Sequence, residues 1–66
     1  MATGGKVWEA IAEVEADGWL KIKSNSGDHR QYKHPSKKGK VTIDGKPNHD
    51  LPPKTWKSIM RQAGLL

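Results

Sequence analysis

Cysteine is absent from this 66-residue chain, so neither a disulfide framework nor a thiolate metal site is available to it. Phenylalanine is absent as well, apolar residues make up 33% of the chain, and the mean hydropathy is −0.85. No stretch is long and apolar enough to read as a membrane span or a secretory leader. The expectation is a soluble, cytoplasmic protein with no membrane partner. The length allows one domain, residues 1–66. Domains of about 60 residues bury only ~60% of their unfolded surface, which leaves no room for a large cofactor-binding core. Glycine-rich phosphate loops, dinucleotide fingerprints and a serine nucleophile elbow are all missing. No cofactor is expected, and the cysteine-free spacing of the histidines argues against a metal site.

Acidic residues are scarce after residue 17. The twelve Lys and Arg exceed the seven Asp and Glu, for a formal charge of +5 and a pI of about 9.8. Glu9, Glu13, Glu15 and Asp17 fall in one stretch that holds no base. Lys21, Lys23, Arg30, Lys33, Lys37, Lys38 and Lys40 follow, with Asp28 their only acid. A small domain divided this way suits a polyanion partner, although a Lys-rich surface can also serve solubility alone.

Periodicity supplies the elements. Val7, Ile11 and Val14 form one helical stripe over residues 5–17, with the glutamates turned to water and Trp8 beside the stripe. Gly18 ends the helix as a left-handed cap. Alternation from Leu20 predicts a strand over 19–23 with Leu20 and Ile22 facing the core, followed by a turn-rich linker over 24–28. A second strand covers 29–34 and a third 40–44, with Val41 and Ile43 inward. Pro52 and Pro53 open a second helix, where the missing proline N–H loses nothing. Trp56, Ile59, Met60 and Ala63 then form its apolar stripe, and Lys54, Lys57 and Arg61 its outer face. The order is helix, three strands, helix. Hairpin-length connections make the strands antiparallel, and two amphipathic helices need one sheet face to cover. The expected fold class is therefore α+β, a two-layer α-β-β-β-α domain with one sheet face left open. Its expected core holds Val7, Ile11, Val14, Leu20, Ile22, Tyr32, Val41, Ile43, Trp56, Ile59 and Met60.

The stretch Gly27-Asp28-His29-Arg30-Gln31-Tyr32-Lys33-His34-Pro35 carries the chemistry. Histidine can take and give a proton near neutrality, and two of the three histidines lie here among bases. Period two puts Arg30, Tyr32 and His34 on one face and His29, Gln31 and Lys33 on the other. With Tyr32 in the core, His29 and Lys33 share the open face. The plainer reading is a basic hairpin with a surface histidine.

Several segments, in order, resemble the HicA, or YcfA-like, family of small bacterial toxins. They are Ile11 with Glu15-Ala16-Asp17-Gly18-Trp19, residues 27–35, residues 38–42, Gly45-Lys46-Pro47, Asp50-Leu51-Pro52, Lys57-Ser58-Ile59 and Arg61-Gln62-Ala63-Gly64-Leu65. The resemblance implies a double-stranded-RNA-binding-like fold and an endoribonuclease that cuts messenger RNA without the ribosome and arrests growth, and a metal-independent route is expected for it here. It also implies a HicB-type antitoxin as partner. The family's catalytic histidine follows a Gly-Ser pair at the start of the second strand, which is His29 here, with Asp28 in the serine's place. His34 also matches a common family residue, and its face suggests a packing or polar-network role.

The expected activity is then RNA cleavage. His29 acts as general base or acid, and Lys33 stabilises charge on the reacting phosphate. Lys21, Lys23, Arg30, Lys37 and Lys38 hold the RNA backbone by charge. Two alternatives share the same fold and charge: an RNA-binding module without catalysis, and a protein-interaction domain whose basic face docks an acidic partner.

Overall fold

A computed structural model describes residues 4–26 and 29–66, excluding the side chains of 23–26. The expectations placed on residues 1–3, on the Gly27 turn, on Asp28 and on the Lys23 side chain lie outside the described residues. In chain order the elements are β1 (Gly5–Lys6), α1 (Val7–Ala16), β2 (Leu20–Ser26), β3 (His29–Lys33), β4 (Val41–Asp44), β5 (Asp50–Leu51) and α2 (Pro53–Gln62). β2, β3 and β4 form an antiparallel sheet in that order, and both helices pack on one face of it, meeting β4. This is the α+β arrangement expected, helix–three strands–helix. A two-residue ladder, β1 with β5, was not anticipated. It pairs Gly5 with Leu51 and Lys6 with Asp50, tying the starts of the two helices together.

The helix ends follow from local chemistry. Glu9 Oε1 accepts the Lys6 N–H at 2.7 Å, satisfying a donor that would otherwise be orphaned at the start of α1. At the other end, Trp19 N–H reaches Val14 O (3.2 Å) and Gly18 N–H reaches Glu15 O (3.0 Å), with Gly18 at φ 102°. That is a Schellman cap, and Val14 and Trp19, the apolar pair that accompanies it, are both buried. α2 ends the same way, with Leu65 N–H on Met60 O, Gly64 N–H on Arg61 O, and Gly64 at φ 71°.

Val7, Ala10 and Val14 of α1 meet Ile59 and Met60 of α2 over Tyr32, Val41 and Ile43 of the sheet, closed by Trp19, Leu51 and Ala63. Ile11 and Trp56 are only partly buried against this cluster. Leu20 and Ile22 correct the expectation: they are 63% and 50% exposed, whereas Trp19 is 1% exposed. The strand has the opposite parity because Trp19 claims the core side. A buried Trp removes roughly 150–250 Å² from water, about 4–6 kcal/mol at ~25 cal/mol per Å². Turning β2 over would gain only the unburied half of Leu20 and Ile22, about 2–3 kcal/mol. It would also lose the bond from the Trp19 indole N–H to Ala63 O, 3.3 Å. Leu20 lies opposite Lys33 on the open face, Lys21 opposite Tyr32, and the register shifts at Ile22, between Lys21 and Lys23. A bulge of this kind is a common feature of an edge strand.

The candidate active face of the sheet

β3 sorts its side chains by parity. Arg30 and Tyr32 are buried toward the helices, opposite Ile43 and Val41. His29 and Gln31 face the other way, opposite Asp44 and Thr42. The expected parity of β3 holds. Burial pushes the Tyr32 phenol up from its ordinary value; nearby Glu15 adds to this and Arg30 opposes it. On the uncovered face His29 Nδ1 contacts Asp44 Oδ1, with the His29 side chain 42% exposed and that of Asp44 64% exposed. His29 therefore stands on the face that the helices leave free, with one ring nitrogen engaged by a carboxylate from the neighbouring strand.

The cations assigned to RNA are scattered. Lys33 is exposed on the same face as His29. Four residues of strand at ~3.3 Å each put their Cα atoms about 13 Å apart. Lys38 is exposed in the β3–β4 loop, and Lys21 is exposed at the edge of the sheet. Lys23 lies opposite Gln31 in the ladder. Arg30 is 8% exposed, and its Nη1 donates to Gly45 O at 3.0 Å. Lys37 Nζ lies 2.5 Å from Asp17 Oδ2 and 3.1 Å from Ala63 O. Arg30 and Lys37 are thus braces of the fold, and neither lies on the open face. Strand parity already turned Arg30 inward; no pattern in the sequence marks Lys37 as the partner of Asp17 and Ala63.

His34, five residues from His29, is a fixed structural joint. Its Nδ1 accepts the Ser36 N–H (2.9 Å) and the Lys37 N–H (3.2 Å), which requires the proton on Nε2; that Nε2–H donates to Asp17 O at 2.8 Å. The ring meets Trp19 edge-on with centroids 5.3 Å apart. A Cβ on Gly18 would come within 2.9 Å of His34 Nε2, so this glycine is needed for space as well as for its φ. Asp17 completes the joint: the hydrogen bond from the Lys37 ammonium holds its carboxyl below the usual 3.8, outweighing the opposing effect of burial. The packing and polar-network role expected for His34 is the one observed.

Asp44 is the site residue that sequence reasoning missed. The inward Val41 and Ile43 place it on the open face by alternation. Its register opposite His29 depends on how the loop from 34 to 40 closes, which no local pattern states. Among the described residues no three His, Asp or Glu side chains gather as metal ligands would, and no helix is long and apolar enough to cross a membrane.

Residues 8–65 match the family model described as the HicA toxin of bacterial toxin–antitoxin systems. The match covers nearly the whole chain, and the chain belongs to that family. No curated protein matches it.

Proposed function

We propose that this member of the HicA toxin family is an endoribonuclease that cuts messenger RNA, arrests growth, and is neutralised by a HicB-type antitoxin. The observation that supports this most is His29, half-exposed on the uncovered sheet face with Asp44 at its Nδ1. The reaction needs one proton moved and no redox partner. His29 takes the proton of a ribose 2′-hydroxyl, and the freed 2′-oxygen attacks the adjacent phosphorus. The bond from phosphorus to the 5′-oxygen breaks, and that oxygen collects the proton the imidazolium holds. The products are a 2′,3′-cyclic phosphate and a 5′-hydroxyl. Lys33, Lys38 and Lys23 hold neighbouring phosphates, giving affinity without sequence choice; Lys21, in register with the inward Tyr32, does not share the open face. At about 13 Å along β3, Lys33 grips a phosphate next to the one that reacts.

His29→Ala tests the reading. Cleavage of an RNA oligonucleotide by the purified variant is expected to fall by about 10²–10⁴-fold, with growth arrest lost and antitoxin binding retained. Activity of the wild-type protein is expected to persist in a chelator. Wild-type rates in His29→Ala would refute the assignment, and an activity abolished by chelation would refute the metal-independent route. RNA binding by the inactive variant is expected to weaken with salt by roughly 0.7 log units per log unit of salt for each phosphate held.

A further inference from the structure

We infer that Asp44 is the positioning residue of His29, fixing the proton on Nδ1 so that Nε2 is the nitrogen that takes the 2′-hydroxyl proton. The inference rests on the reading of His29 given above. Directly opposed residues on antiparallel strands keep their Cβ atoms about 5 Å apart, and His29 and Asp44 are such a pair. The carboxylate oxygen lies at Nδ1, and a carboxylate can only accept, so that nitrogen carries the hydrogen. A neutral imidazole has one N–H, which leaves the lone pair on Nε2. When Nε2 gains a proton, the same carboxylate stabilises the imidazolium, as in the aspartate–histidine pairs of hydrolases.

The pair is also braced from behind. Arg30, the residue after His29, reaches under the sheet to donate to the carbonyl of Gly45, the residue after Asp44. This buried bridge holds the ends of β3 and β4 together on the inner face. Gly45 itself turns at φ 108° with Val7 Cγ2 3.4 Å from where its Cβ would stand, so the chain leaves the site at a defined angle. The buried arginine therefore serves the site through the backbone.

The test compares Asp44→Asn, Asp44→Glu and His29→Ala by steady-state cleavage of an RNA oligonucleotide and by nitrogen-15 NMR of the imidazole. An asparagine amide can donate to Nδ1, which favours the other tautomer. kcat of Asp44→Asn is expected to fall about 10–100-fold, below the ~10⁴-fold seen where such a pair is sealed from water. KM and thermal unfolding are expected to change little, and Asp44→Glu to recover part of the rate. The spectrum is expected to show Nδ1 protonated in the wild-type protein and a shift toward Nε2 in Asp44→Asn. An inactive His29→Ala beside an undiminished Asp44→Asn would overturn this inference alone. A fully active His29→Ala would overturn the reading of the face, and the inference with it. An Nε2-protonated His29 in the wild-type spectrum would overturn the inference whatever the rates.

Discussion

His29 and His34 stand at the two ends of one strand and differ in nearly every respect that matters. His29 opens β3 on the uncovered face, half-exposed, with Asp44 at one nitrogen. His34 follows the end of β3 with both nitrogens committed to backbone groups and its ring against Trp19. Under the function proposed above the first moves a proton to and from a substrate; the second cannot do so without breaking the joint between α1 and the β3–β4 loop. The same side chain becomes a candidate for proton transfer or a structural rivet according to what its second nitrogen meets. Residue type alone therefore nominates candidates, and the neighbours choose among them.

The contrast can be broken most severely at Trp19. Trp19→Ala removes the centre of the His34 joint and is expected to cost about 3–5 kcal/mol, enough to unfold a domain this small. Chemical denaturation checks it, and a loss below about 1 kcal/mol would mean that Leu20 and Ile22 can turn in to replace it. His34→Ala comes next, since it strands two backbone N–H groups and one carbonyl; about 1–3 kcal/mol is expected. Thermal melting should show a drop of several degrees at 4–8 °C per kcal/mol. His29→Ala should melt within the ~0.5 kcal/mol typical of surface changes. Equal melting of the two variants would erase the distinction drawn here.

The smallest effect lies in the pH dependence of the joint. Because Lys37 holds the Asp17 carboxyl below its ordinary 3.8, the folded state binds that proton less readily than the unfolded chain. The stabilisation is therefore present above about pH 3.8 and is lost as pH falls through the folded value. Asp17→Asn is expected to flatten that part of the acid unfolding curve and to leave the neutral and alkaline parts unchanged. An identical acid limb in the two proteins would show that the Asp17–Lys37 contact contributes nothing measurable.

Much of this was legible in the chain. The helical stripe at Val7 and Val14, the one at Ile59 and Met60, the glycine cap at 18, and the parity of β3 all follow from local rules, because each depends only on residues a turn or two apart. What was misread has one origin, competition between distant groups. Leu20 and Ile22 alternate as a core strand should, yet Trp19 outweighs them through the cap on Val14 and the carbonyl of Ala63. Lys37 looks like any loop lysine until α1 and α2 bring Asp17 and Ala63 to it.

The division is sharpest at the site. The sequence by itself determined that His29 faces away from the core, since period two and a buried Tyr32 leave it no other side, and the motif around it marks it as the reactive candidate. Only the tertiary structure decided that Asp44 stands beside it, that Arg30 braces the pair from behind, and that Lys37, still partly exposed, is engaged by Asp17 and Ala63. Side-chain alternation is a property of one strand and can be read from it. Register between strands, and the ends of two helices meeting at one lysine, are set by how loops close and how the core packs, which no single stretch of sequence contains.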